Sequence, residues 1–363
     1  MTPGAYELHK RAMSQAGENQ DRNRAQHQAQ SQAWSDLHAR VHAQLKRHQL
    51  LPRSARIVLA VSGGQDSVCL AGLCVDLAER WDWTLTIGHC DHGWRDDSAD
   101  NARFVGELAE RWGLPFLLRV ASTSPVGEAS AREWRYRQLV AIAAEFGATH
   151  IATGHTASDR AETFLHHLLR GTGTDGLSAI ARSRDLAEFC DGPRSPQLVR
   201  PLFEIFRQET ADFCRDRQLA IWEDATNNDE RYTRNRIRHS LLPLLSERFN
   251  PRAEAAIVRA SASLARDRDC LEALAADWGQ RVRDRERPDR LYRPTLRRAH
   301  PALQRRILRD WLRERLGNAV GFERIEAVAA LIDAPQKTRT DPVADARIVE
   351  VCGDWLAIVT LER

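Results

Sequence analysis

The sequence predicts an α/β protein: a parallel sheet covered by helices, then a mainly helical region that ends in a β-hairpin. Three features carry this expectation. Short apolar runs alternate four times with amphipathic stretches over residues 56–170. Helical periodicity dominates residues 241–315, broken at Pro251, Pro288, Pro294 and Pro301. Two β-rich runs, residues 346–351 and 356–361, flank a tight Cys-Gly-Asp-Trp turn near the end of the chain.

Residues 1–34 are low in apolar content and rich in Gln, Arg, Asn and His, so they read as a disordered or loosely helical extension. A helix follows over residues 34–48, with Leu37, Val41 and Leu45 at helical spacing, and Pro52 closes that region. RIVLAV, residues 56–61, is a short buried strand, and a helix runs over residues 67–80. TLTIGHC is a second strand, and the helix at 98–112 ends at Gly113. PFLLRV is a third strand, followed by a helix over 129–146. ATHIATGH is a fourth strand, and the helix at 157–170 ends at Gly171. Such alternation with short loops marks a Rossmann-like parallel sheet, covered on both faces through right-handed connections. After Pro201 the pattern turns helical, with one helix over 204–218. The expected boundary lies near Phe249 and Asn250. It leaves an extension at 1–34, a sheet domain at 35–249 and a basic helical domain with a hairpin at 250–363.

No apolar stretch approaches the roughly 20 residues that a membrane span needs. The polar N-terminus is not a secretory signal. Cys69, Cys74, Cys90, Cys190, Cys214, Cys270 and Cys352 are scattered and form no CxxC pair, which suits reduced cytoplasmic thiols better than zinc or cluster ligands. The chain has 50 Arg and 3 Lys, a bias that a GC-rich coding sequence explains, so distribution says more than composition. Residues 231–317 hold 22 Arg and 11 Asp plus Glu, a surplus of +11; with +3 for the whole chain, the remainder sums to −8. A basic block behind a mildly acidic domain suits a nucleic-acid partner. The bland alternative is a solvated helical surface of Arg–Asp pairs, as in RDRD at 266–269.

LAVSGGQDSVCL, residues 59–70, runs from strand through glycines into helix. A helix N-terminus with free N–H groups suits phosphate. Gly63 and Gly64 let the backbone turn and approach an anion, and Ser62 and Ser67 add hydroxyls. Neither GxxxxGK[ST] nor GxGxxG is present, and no Lys stands between Lys46 and Lys337. Instead an acid, Asp66, sits in the loop. A carboxylate beside phosphate is repulsive unless a cation bridges them, so Asp66 implies Mg²⁺. The alternative is a strand–helix turn with no ligand.

SGGQDS resembles the pyrophosphate-binding loop of the N-type ATP pyrophosphatases, the PP-loop superfamily. The resemblance implies that Ser62, Gly63, Gly64, Gln65, Asp66 and Ser67 bind ATP. The loop would hold the β and γ phosphates as leaving pyrophosphate, with Asp66 keeping Mg²⁺ on them. Four further segments narrow the choice: HCDHGWR at 89–95, EASAREWRY at 128–136, TGHTASDRAET at 153–163 leading into LLRGTGTDGLSA, and WEDATNNDERYTRNRIRHSLLPLL at 222–245. A metal group of His89, Asp91 and His92 is disfavoured, because three such close side chains on one strand end rarely converge. Together the segments resemble the tRNA(Ile)-lysidine synthase family over about residues 35–245. The likeness weakens over the helical region and partly returns in the last hairpin. Arg160 replaces a common Gln and Trp94 a usual Leu. The first 34 residues are unmatched, and the C-terminus looks shorter than in the longer members.

The resemblance implies ATP-dependent ligation of free L-lysine to C2 of the wobble cytidine in the isoleucine tRNA with a CAU anticodon. The 2-carbonyl oxygen is first adenylylated; the lysine amine then attacks the carbon and AMP leaves. ATP, Mg²⁺, L-lysine and that tRNA are the expected ligands, in the cytoplasm and without a membrane, with a homodimer left open. Asp159 and Glu162, three apart on one helix, share a face. With no nearby Lys they should attract the lysine ammonium or Mg²⁺, unless they merely favour the helix dipole. His155, at the carboxyl edge of the sheet, would assist proton transfer. Arg132 would stabilise charge at the α-phosphate. Arg234, Arg236 and Arg238 would lie near tRNA and nucleotide. A rival within the superfamily is a tRNA thiolase, which generally needs paired cysteines or an iron–sulfur site. A rival of another class is a non-catalytic RNA-binding protein.

Overall fold

A computed structural model describes residues 34–93, 97–124, 127–178, 180–190, 192, 195–223, 229–317, 320–344 and 346–360. The extension at 1–33 and Trp94 lie outside them. The chain forms two compact units, Met1–Gly171 with Ala179–Arg259, and Thr172–Ser178 with Ala260–Arg363.

The first unit alternates as its periodicity dictates. Helix α1 (Asp36–His48) precedes β1 (Arg56–Ala60), α2 (Gln65–Trp81), β2 (Thr84–Asp91), α3 (Ser98–Arg111), β3 (Phe116–Val120), α4 (Glu128–Phe146), β4 (His150–Thr153) and α5 (Ala157–Leu169). Two further strands extend the sheet, β5 (Ser183–Asp185) and β6 (Gln197–Val199), giving the order β3-β2-β1-β4-β6-β5. All neighbours are parallel except β5 and β6. The pattern of four strands therefore understates the sheet. β5 and β6 span three residues each, too short to show an alternation, and β5 reads Ser-Arg-Asp.

Strand β1 shows why the sheet is covered twice. Ile57 and Leu59 face a core built with Val68, Leu70, Leu73 and Leu77 of α2, while Val58 faces Leu139 and Ile142 of α4. These residues are fully or almost fully buried, each worth about 1.5–3 kcal/mol of transfer free energy. The helix expected over 204–218 is shorter: α6 spans Arg207–Asp216. Phe206 is extended, and its N–H donates to the Glu209 carboxylate at 2.9 Å, which starts the helix there. Leu202 and Ile205 are buried in the turn before it. Beyond lie α7 (Thr233–Arg236), one π-helical turn at Ile237–Leu241, α8 (Leu242–Arg248) and α9 (Ala253–Val282). The unit boundary falls inside α9. Pro251 sits just ahead of that helix, where a missing N–H is harmless, instead of separating domains.

In the second unit, β7 (Arg290–Tyr292) joins the terminal hairpin of β8 (Arg347–Cys352) and β9 (Trp355–Thr360) in an antiparallel sheet ordered β7-β9-β8. Helices α10 (Arg293–Arg298), α11 (Pro301–Leu316) and α12 (Phe322–Ala330) complete it. Its core surrounds Trp311, whose indole N–H donates to the Pro288 carbonyl at 3.1 Å. The glycine-rich segment after α5 also belongs here: Asp175 pairs with Arg306 and Arg309. No described helix is long and apolar enough to cross a membrane.

The tightest packing of a glycine among the described residues of the first unit links the β4–α5 turn to the glycine loop. A β-carbon at Gly154 would lie 2.8 Å from the carbonyl carbon and oxygen of Asp66. Gly154→Ala is expected to destabilise the protein by about 1–3 kcal/mol. A lower urea midpoint at unchanged slope would show it.

Candidate active site

The glycine loop connects β1 to α2 at the carboxyl edge of the parallel sheet, where crevices form in such folds. Gly63 has φ +89°, a conformation that favours glycine, and its carbonyl accepts the Trp222 N–H at 2.9 Å. Gly64 caps α2 without a side-chain bond, so the first N–H groups of the helix stay open to an anion. Ser67 Oγ donates to the Gly64 carbonyl at 2.8 Å and accepts the Ser62 N–H at 3.1 Å, which closes the loop. Gln65 turns away: its amide donates to the Arg207 carbonyl at 2.7 Å and to Thr210 Oγ1 at 2.8 Å.

Beside the loop, three carboxylates meet three guanidiniums. Asp159 is placed by a capping box. Thr156 N–H and Oγ1–H both donate to Asp159 Oδ2 at 2.8 Å. Glu162, one turn on, is fully buried. Arg207 reaches Asp66 Oδ2 at 3.0 Å through Nε, Glu162 Oε1 at 2.6 Å through Nη1 and Asp159 Oδ1 at 3.0 Å through Nη2. Arg234 donates to Asp159 Oδ1 and Glu162 Oε2, both at 2.9 Å. Arg238 grips both oxygens of Glu162 at 2.7 and 3.0 Å. Thr210 Oγ1 donates to the other oxygen of Asp66.

The cluster balances in charge, and its titration reflects that. Burial pulls the Asp159 carboxyl upward, but Arg207 and Arg234 hold it well below the usual range. Glu162 is lowered against burial by Arg238 and then Arg207. Asp66 is raised, by burial first, with Arg207 opposing.

The structure thus gathers Asp66, Asp159, Glu162, Arg234 and Arg238 in one place. Arg236 is exposed and bonded to Thr233 Oγ1 at 2.9 Å. RNRIR sits on a helix, so residues four apart share a face and the middle Arg does not. Arg132 is exposed, with its guanidinium 5.3 Å from the Tyr136 ring centroid. His155 Nδ1 lies 2.9 Å from Thr153 Oγ1. Its imidazole is pushed down to about 3, by desolvation first, then by Arg200, with Arg135 and Arg234 adding to it. Arg160 points away from the carboxylates, 4.0 Å over the Phe203 ring. Arg207 and Thr210 were not foreseen from the sequence. The one local sign was a cation in the first turn of a helix, where the macrodipole disfavours it.

A strand–glycine loop–helix turn with an acid in the first helical turn, at the carboxyl edge of a parallel sheet, defines a protein that binds ATP through a PP-loop. Residues 37–245 match the family described as PP-loop domain, and residues 291–347 the family described as TilS substrate binding domain. A curated tRNA(Ile)-lysidine synthase of Nostoc sp. is 46% identical over 332 residues, covering 88% of this chain and 95% of that protein. One of Thermosynechococcus vestitus is 44% identical, covering 87% and 89%. The chain belongs to the tRNA(Ile)-lysidine synthase family of ATP-using ligases. Among solved structures, the U34-tRNA thiolase NcsA of Methanococcus maripaludis aligns at TM-score 0.50 and 16% identity over 63% of this chain and 77% of its own, a likeness of fold.

Breaking a buried pair on one side strands the other charge. Arg207→Met is therefore expected to cost about 3 kcal/mol near pH 7. Asp159 and Glu162 have folded values below their unfolded ones. Their stabilising contribution is full above the unfolded carboxylate range and is lost as pH falls below that range and through the lower folded values. With Arg207 gone, Arg234 and Arg238 remain but one counter-charge is lost, so both folded values rise from their wild-type positions and acidification costs the variant less. The stability gap in urea titrations should be widest near pH 7 and narrow toward about pH 4.

Proposed function

We propose that this protein ligates free L-lysine to C2 of the wobble cytidine in the CAU-anticodon isoleucine tRNA. The observation that carries the reading is the convergence of Asp66, Asp159 and Glu162 beside an open phosphate loop, with Arg207 touching all three. In the first step the cytosine O2 attacks the α-phosphorus of ATP, the Pα–O–Pβ bond breaks, and pyrophosphate departs. In the second, the lysine ε-amine attacks C2, the C2–O bond breaks, and AMP leaves with the oxygen. The ammonium loses its protons along the way.

The loop residues Ser62 to Ser67 would hold the β and γ phosphates through open N–H groups and hydroxyls. Asp66 fits a magnesium ion, since one carboxylate plus phosphate oxygens is a usual Mg²⁺ set. When bound, Mg²⁺ would offset the charge growing on the leaving pyrophosphate. Both Asp66 oxygens are engaged by Arg207 and Thr210, so Arg207 must yield one of them to the ion. Asp159 and Glu162 already hold cations, those of Arg207, Arg234 and Arg238. A substrate ammonium would enter by taking the place of one guanidinium, which keeps the carboxylates compensated. His155 is neutral and able to accept a proton once an anion offsets the cations around it. The basic stretch at 231–317, Arg236 included, would contact phosphates of the tRNA.

Sulfur transfer fits less well. Cys69 and Cys74 are buried in α2, and burial pushes the Cys74 and Cys90 thiols up to about 12, so they are not thiolates.

The test is incorporation of radiolabelled lysine into a CAU-anticodon isoleucine tRNA transcript. The expected result is labelling that needs ATP, is absent on methionine tRNA and falls by at least about a hundredfold in Asp66→Ala. Pyrophosphate release with another acceptor, and no labelling, would sink the lysidine reading while keeping the nucleotide chemistry.

A further inference from the structure

A second group of charges lies near the carboxylate cluster, and among the described residues it has no acidic partner. Arg200 follows β6 directly, beside Thr153 at the end of β4, because Ala152 pairs with Val199 in the parallel register. Its side chain is 2% exposed. A guanidinium has five N–H donors. Arg200 uses Nη1, which donates to the Ala181 carbonyl at 2.6 Å, and its Nε finds no partner among the described residues. The neighbouring Tyr136 hydroxyl, also buried, makes no hydrogen bond of good geometry. Arg135 and Arg132 stand at 6.0 and 5.3 Å from the same Tyr136 ring. Among the described residues none of these three arginines forms an ion pair, whereas Arg184, also against Tyr136, is paired with Glu188.

Burying a cation without an anion is costly, and proteins rarely leave it so. The strain registers on two members. Burial pulls the Arg200 and Arg135 guanidiniums below the ordinary range; Tyr136 opposes this in part, and Arg132 lowers both further. His155 is held neutral partly by Arg200 and Arg135. An anion on this spot would satisfy the donors, offset the cations and raise His155. The surroundings are at the carboxyl edge of the same sheet that carries the phosphate loop.

The structure assigns Arg200, supported by Arg135, to a buried anion site at the ends of β4 and β6 that takes the α-phosphate of ATP and then of AMP. This rests on the nucleotide chemistry proposed above. It adds a contact made to the reacting phosphoryl group, apart from the loop that holds the leaving pyrophosphate. As O2 of the cytosine attacks and the Pα–O–Pβ bond breaks, charge on the non-bridging α oxygens meets donors already in place. When AMP leaves, its phosphate stays on the same guanidinium. The other anion of the reaction is the carboxylate of free lysine, and the experiment separates the two.

AMP, adenosine and L-lysine are titrated calorimetrically into the full-length wild type, Arg200→Lys and Arg200→Met. The wild type should bind AMP about 10- to 100-fold more tightly than adenosine, the worth of one charged hydrogen-bonded contact. Arg200→Met should lose that preference with its lysine affinity unchanged, and Arg200→Lys should keep part of it. In the wild type, the His155 pKa followed by NMR should rise with AMP and not with adenosine. An AMP preference that survives Arg200→Met overturns the assignment. A fall in lysine affinity with the AMP preference intact overturns it too, in favour of the carboxylate. Arg135→Met supplies the same comparison if Arg200→Met does not fold. No arm uses tRNA or turnover, so the readout stands even if lysine is not transferred.

Discussion

The guanidinium of Arg207 is the interaction on which the site depends. It touches Asp66 of the phosphate loop and both Asp159 and Glu162 of α5. Without it, Asp66 would have no guanidinium and three acids would share two, Arg234 and Arg238, an excess of negative charge that would protonate one acid or open the site. With Arg234 and Arg238, the charges cancel. Such clusters gain little net stability over apolar packing, because desolvation offsets the attraction. They define geometry instead: each carboxylate oxygen has a donor, so α2, α5, α6 and the α7 segment hold one mutual arrangement.

The backbone around this cluster is shaped for close approach. Gly154 sets the β4–α5 turn against the backbone of Asp66 and Ser67, at distances that no side chain would tolerate. The π-helical turn at Ile237–Leu241 lets Arg234 and Arg238 face the acids while Ile237 and Leu242 pack against Ala161 and Leu165 of α5. Single π turns inside helices often mark functional positions, where a regular helix would have to choose between packing and site.

Electrostatically the cleft has two halves. One is compensated, with acids and arginines in balance, and can exchange a guanidinium for another cation. The other, around Arg200 and Tyr136, is uncompensated and suits an anion. His155 stands between them, influenced by Asp159 on one side and by Arg200 and Arg135 on the other. A ligation that uses a nucleotide phosphate and an amine calls for both kinds of ground side by side.

The sequence by itself determined what is local along the chain. SGGQDS follows a strand and opens a helix, so the phosphate loop and Asp66 were legible. Asp159 and Glu162 share a helix face through their spacing, and His155 lies just after a strand. The strands long enough to show a pattern, and the hairpin, were legible for the same reason. Tertiary structure alone decided what depends on distant segments meeting. Arg207 lies 141 residues from Asp66, and nothing in its neighbourhood announces three carboxylates. Which arginines of RNRIR face inward was settled by helical phase against α5, and alternation along the chain had put all three together. Arg132 on α4 is exposed and Arg200 after β6 is buried, a difference that the sheet order β1-β4-β6 creates for Arg200. Charge pairing is a property of which strand ends become neighbours, and short strands such as β5 and β6 acquire that place from the sheet they join.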